Sequence, residues 1–230
     1  MKIGNKYKPS VPEKQEQGIV AEYAAADEAF SNQCCVLIIC AHFRIIDEKK
    51  LLRTWDEVTI TRHLKKHLQR CITEEELRYF VVPEYPEDDE DIDDGLKDAS
   101  KEVFFDLVFS SFFNKQHYFG VEAKIVIENN FLKRRATTEL AEYISDKGMK
   151  KFINGVYKKR GCMIGYVMEG DLPTIANKIN DRIKADTFYS GDACLKKKLL
   201  VKYFDSYFES IHIGYHANPL KHLFLDFSQV

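Results

Sequence analysis

The chain has 230 residues, of which 45% are apolar and 30% charged, with a net charge of −2 at pH 7. This is material for one large domain, or for one domain with an extension, and the overall charge by itself argues against a polyanionic partner. Uninterrupted apolar runs stay short of the ~18–20 residues that cross a bilayer, and the start MKIGNKYKPSVPEKQEQG lacks the apolar region of a secretory leader, so a cytoplasmic protein without a membrane span is expected.

In chain order, residues 14–32 predict a helix, being rich in Ala and Glu with apolar residues at helical spacing. Residues 34–46, CCVLIICAHF and its continuation, suit a buried helix or a strand equally. A helix is predicted over 54–72 with Glu57 near its start, then a strand over 78–83. Residues 84–98, EYPEDDEDIDDGLKD, follow as an acidic loop. A hairpin is predicted over 102–127, helix over 136–158 with an interruption near Gly148, and a strand over 161–168. Pro173 opens a helix over 172–185, a favoured place for proline, and strand-like runs occupy 200–213 and 221–227. The order α, β, β, β, α, β predicts a mixed central β-sheet flanked by helices, not a run of βαβ units. Glycine-rich phosphate loops are absent from the sequence, which argues against an NTPase or a dinucleotide enzyme.

Charge is unevenly spread. Residues 84–98 hold nine acids and one lysine, a net of −8, so against −2 for the whole chain the remainder carries +6. Residues 132–160 hold nine lysines and arginines against three acids. Lys133, Arg134, Arg135, Lys150 and Lys151 in that stretch are candidates for a nucleic-acid backbone, equally well read as a solvated helix face. Arg62, Lys65, Lys66 and Arg70, with His63 and His67 between them, suit a solvated face better. His212, in a strand-like run, is a weaker candidate for phosphate. Of the six cysteines none forms a C-x-x-C pair, and Cys34, Cys35 and Cys40 are expected to be packed free thiols.

The hairpin carries the chemistry. Its arms, VFFDLVF and VEAKIVI, hold Asp106 in the first and Glu122 and Lys124 in the second. A hairpin centred on Asn114 sets Asp106 opposite Glu122, and period-two alternation puts Lys124 on the same face. Phe105, Leu107, Phe109, Val121, Ala123, Ile125 and Ile127 are expected on the other face. Two facing carboxylates resist double ionisation. An ammonium that neutralises one of them, or a divalent cation that binds both, accounts for the pattern, and the residues leave these two open.

Asp106 followed by Glu122-Ala123-Lys124 resembles the PD-(D/E)xK nuclease superfamily, the restriction-endonuclease-like fold. Glu57 on the first core helix fits that pattern. Tyr143-Ile144, Gly148-Met149-Lys150-Lys151-Phe152, Gly155-Val156-Tyr157 and Met163-Ile164-Gly165-Tyr166-Val167 resemble a bacterial restriction- or defence-type branch of it. There an arginine often stands where this chain has Lys151, a change that keeps the charge and loses the planar fork. The resemblance spans roughly residues 50–227. It implies an αβββαβ core within a nuclease domain over 51–230, preceded by a helical extension over 1–50. It implies magnesium, or manganese, held by Asp106, Glu122, Glu57 and the carbonyl of Ala123, with Lys124 as the remaining catalytic residue. The implied activity is phosphodiester hydrolysis with DNA favoured over RNA, in a restriction or anti-phage system that allows a protein partner or a homodimer. The competing expectation is a non-catalytic or conditionally active nucleic-acid-binding or assembly subunit.

Overall fold

The computed structural model describes residues 13–86, 103–111, 118–157, 160–190, 192–215 and 219–230, with side chains described from residue 25 onward. Most of the acidic segment and the turn around Asn114 lie outside the described residues.

Helix α1 (Glu13–Glu48) is continuous through the stretch that suits helix and strand equally. Phe30, Cys34, Leu37, Ile38, Ala41 and Ile45 are buried three or four residues apart, a stripe that one face of a helix presents to a core. Cys34 and Cys35 are buried thiols, whereas Cys40 is exposed, a correction to the packing expected of all three. The segment Ala25–Glu48 is also long and apolar enough to cross a membrane by length and composition, which the count of uninterrupted runs did not register. Its buried stripe is used by the protein itself.

Helix α2 (Glu57–Glu74) starts at Asp56, whose carboxylate accepts from the Thr59 amide at 2.8 Å, an N-cap that fixes the first turn where Glu57 sits. Ile60, Leu64, Leu68 and Ile72 form its buried face. The strands are β1 (Tyr79–Pro86), β2 (Phe104–Ser111), β3 (Tyr118–Ile127), β4 (Gly161–Glu169), β5 (Lys196–Lys197), β6 (Tyr207–Ser210) and β7 (Leu220–Asp226). Of the tail's expected strand over 200–213, only β6 forms. The remaining helices are α3 (Ala136–Ile144), the single turn α4 (Lys150–Ile153) and α5 (Leu172–Ala185).

All seven strands join one sheet in the order β1-β2-β3-β4-β7-β6-β5. Pairing is antiparallel across β1, β2 and β3, parallel across β3, β4 and β7, and antiparallel again across β7, β6 and β5. The parallel centre is buried on both sides, as such strands require. One face packs under α1 and α2 through Leu64, Leu68, Val121, Ala123, Ile164 and Leu223. The other packs under α3, α4 and α5 through Leu140, Phe152, Ile175, Ile179, Val126 and Phe224. Residues of α1 belong to the first of these cores, so the described part of the amino-terminal stretch shares its apolar core with the sheet. Lys221 of β7, 3% exposed, reaches Glu28 of α1 at 2.7 Å and Asn32 at 3.0 Å, and Tyr79 donates to Gln33 at 2.6 Å.

Phe105 departs from expectation. It lies in the second core, apart from Leu107 and Phe109, and stacks on Tyr157 with ring centroids 3.8 Å apart. The cause is Gly120 on β3, where a Cβ atom would stand 2.1 Å from the Phe105 ring. The missing side chain leaves a slot that the ring fills, and β2 turns over at Asp106 to reach it. Across β3 and β4, Gly120 also pairs with Gly161, where a Cβ would meet the Gly120 carbonyl oxygen at 2.2 Å. Gly161→Ala therefore forces these backbones apart, and urea unfolding is expected to register a loss of about 2 kcal/mol.

Candidate active site

β3 delivers two charged residues into an otherwise apolar strand. Glu122 is 1% exposed and Lys124 is 8% exposed. The ladder between β2 and β3 runs from Ser110↔Tyr118 to Leu107↔Val121, and one more step in that register sets Asp106 opposite Glu122. Backbone pairing stops there. Asp106 Oδ2 accepts from the Ala123 amide at 2.6 Å, so its carboxylate takes a place on the edge of the ladder.

Five charged groups meet at the end of this hairpin. Lys124 Nζ lies 2.9 Å from Glu57 Oε1, 2.9 Å from Glu122 Oε1 and 2.7 Å from the Ala123 carbonyl oxygen. Lys151 Nζ, from α4, stands 2.9 Å from each oxygen of Glu122. The Tyr157 hydroxyl lies 2.5 Å from Glu122 Oε2 and 2.7 Å from the Phe104 carbonyl oxygen. Three carboxylates thus face two ammonium groups.

The electrostatics follow from that imbalance. Burial, and then the neighbouring Glu122 charge, push the Asp106 carboxyl up to about 7, against the pull of Lys124 and the Ala123 amide. Burial likewise raises Glu57, opposed by Lys124. Burial alone would discharge Lys124, but Glu122, Glu57 and Asp106 outweigh it and hold the ammonium charged, above its ordinary range. A charged lysine donates hydrogen bonds and balances negative charge; it does not take up a proton.

The structure therefore brings Asp106, Glu122, Lys124, Glu57 and the Ala123 carbonyl into one cluster. Lys151 joins them through Glu122, where sequence suggested a phosphate contact. Tyr157 joins as well; nothing in its spacing distinguishes it from a core tyrosine. The other candidates lie elsewhere. Lys133 and Arg135 are exposed at the start of α3. Arg134 donates to the carbonyls of Trp55, at 2.6 Å, and Arg53, and so ties this loop to the entry of α2. Lys150 pairs with Asp186 at 2.9 Å and lies over the Phe188 ring. His212 is 2% exposed and sits 2.7 Å from Ser210 Oγ, in a buried chain that continues to His222 and Tyr143. Burial holds the His212 imidazole down to about 4, so it is a neutral interior group out of reach of a phosphate at the surface. Glu84, near the end of β1, is exposed and 3.7 Å from Arg62.

No protein-family model, curated protein or solved structure matches the chain.

The Asp106 carboxyl has a measurable signature. Unfolded, it releases its proton near its ordinary value of 3.8; folded, it keeps that proton to about 7. The folded state binds more protons across this window, so stability is greatest at its acid end and falls as pH rises through it. Asp106→Asn is expected to flatten that slope between about pH 4 and 7 in urea titrations with a chelator present. Equal slopes in the two proteins would contradict the assignment.

Proposed function

We propose that this protein is a metal-dependent nuclease of the PD-(D/E)xK type, built on an αβββαβ core of α2, β1, β2, β3, α3 and β4. The observation that carries the reading is the convergence of Asp106, Glu122, Glu57 and Lys124 at one end of the β2–β3 pair. An acid, an acid and an ammonium on a buried strand edge have little value to a core, because burying charge costs free energy unless it is paired or put to use.

The donors are hard oxygens, which suit magnesium or manganese. Asp106 and Glu122, with Glu57 and the Ala123 carbonyl, would hold the ion. Such an ion supplies a water of lowered pKa and balances charge on a phosphoryl oxygen. Lys124, held charged by Glu57 and Glu122, orients the attacking oxygen and donates to the phosphate as negative charge builds there. Glu57 fixes the lysine head group from the capped first turn of α2. Lys151 neutralises Glu122 and has to move aside for a cation to share that carboxylate; once displaced, it is placed to meet a phosphate. Exposed Lys133 and Arg135 offer further phosphate contacts. DNA is preferred to RNA through the family resemblance, and a restriction or anti-phage role in the cytoplasm follows by the same analogy.

A second reading has its own observation. Lys124, Lys151 and Tyr157 satisfy Glu122 without any cation, as they would in a silent or partner-activated subunit. Lys151→Gln separates the two. In the nuclease reading it removes a competitor and tightens manganese binding, measured by calorimetry. In the other it lowers stability and no manganese binds.

The direct test is incubation of the purified protein with plasmid, single-stranded DNA and RNA, with and without magnesium. Asp106→Ala, Glu122→Ala and Lys124→Ala are each expected to lower magnesium-dependent cleavage by on the order of 100-fold or more, with the folded circular dichroism spectrum retained. Full cleavage by all three folded variants would defeat the proposal.

A further inference from the structure

About two to three turns along α2 from Glu57, we propose a second, unrelated metal site: Glu48, His63 and His67 bind a transition-metal ion of the zinc class and staple the end of α1 to α2. His63 and His67 are one helical turn apart, the i, i+4 spacing that places two side chains on one face. Glu48 is the last residue of α1. One ligand atom from each of the three lies within 4.8 Å of the others.

The polar atoms here lack partners. His67 is 1% exposed, yet neither of its ring nitrogens has a hydrogen bond. Glu48 Oε2 and His63 Nε2 are likewise buried and without one. His67 Nε2 and Glu48 Oε2 stand 3.4 Å apart, close enough to pair as charges but not aligned as a hydrogen bond. An orphaned buried polar atom is costly, so a cluster of them calls for a ligand. A single cation answers three at once.

The chemistry selects the ion. Two imidazoles and one carboxylate suit zinc and its neighbours, not magnesium, which takes oxygen. Lys50, Lys66 and Arg70 act on His63 as nearby positive charges, which penalises a cation bound by charge alone and favours one held by nitrogen coordination. Arg70 Nη1 grips Glu48 Oε1 at 2.9 Å, which orients the carboxylate and leaves Oε2 towards the imidazoles. Support of this kind behind a ligand is usual in metal sites. Tetrahedral bonds of ~2.0–2.1 Å put donors ~3.4 Å apart, so the three side chains close by about an ångström on binding. With three protein ligands, a fourth position is left for water.

The test uses full-length protein carrying Asp106→Asn and Glu122→Gln, in excess magnesium, so that the hairpin cluster contributes no binding. Zinc content after dialysis, calorimetric titration with zinc, and the visible spectrum of the cobalt-substituted protein are measured. Expected are a single tight equivalent, a thermal midpoint raised by zinc, and cobalt bands without sulfur-to-metal charge transfer. His63→Ala and His67→Ala are each expected to abolish binding, and Arg70→Ala to weaken it about 10–100-fold. Should His67→Ala fail to fold, His63→Ala, at a half-buried position, decides the matter. Zinc bound equally well by the His63→Ala protein, a thiolate charge-transfer band, or no binding at micromolar zinc would each overturn the proposal.

Discussion

The repulsion between Asp106 and Glu122, forced to face each other where β2 and β3 part, is the constraint around which the rest of this end of the molecule is arranged. Hairpin register leaves them no choice of neighbour. Lys124 relieves one acid and is in turn held by Glu57, which the Asp56 cap fixes in the first turn of α2. Lys151 and Tyr157 complete the shell around Glu122 from the far side of the sheet. The glycine at 120 lets Phe105 fold over β3 onto Tyr157, so the apolar packing and the polar cluster share one tyrosine. Burial, and then the facing Glu122 charge, raise the Asp106 carboxyl further than Lys124 and the Ala123 amide can lower it.

Much of this was legible in the sequence, for reasons that can be named. The opposition of Asp106 and Glu122 follows from counting outward from Asn114, because a register slip of one would have turned Glu122 and Lys124 into the apolar core that Val121, Ala123 and Ile125 fill. Glu57 was legible as an acid near the start of a predicted helix; the Asp56 cap that sets it in the first turn was not, since the helix was expected from residue 54. The position of Phe105 was not, since it depends on a gap left by Gly120 on another strand. The helical state of residues 34–46 was not, because a stretch apolar on nearly every side has no period to read. His212 reads as available in a strand-like run, but it is buried against Ser210. His63 and His67 passed for part of a basic surface, because the carboxylate that meets them ends a different helix.

The lysine clamp on Glu122 is the feature that the two functional readings interpret differently. In a nuclease it is a resting arrangement, with Lys151 standing in for a cation and a phosphate that arrive together. In a silent subunit it is the final arrangement, and the cluster is an ion-pair network that holds α2, β3 and α4 in place. Burial of Glu122 makes the clamp strong in either case, because removing one partner of a buried pair leaves the other uncompensated.

The measurement that bears most directly on this is the crystal structure of the protein grown with manganese, using anomalous scattering to place the metal. The account predicts a manganese ion contacting both Asp106 and Glu122, with the Lys151 ammonium withdrawn from the Glu122 carboxylate. No anomalous peak between those acids, with Lys151 still bridging both oxygens of Glu122 at saturating manganese, would contradict it.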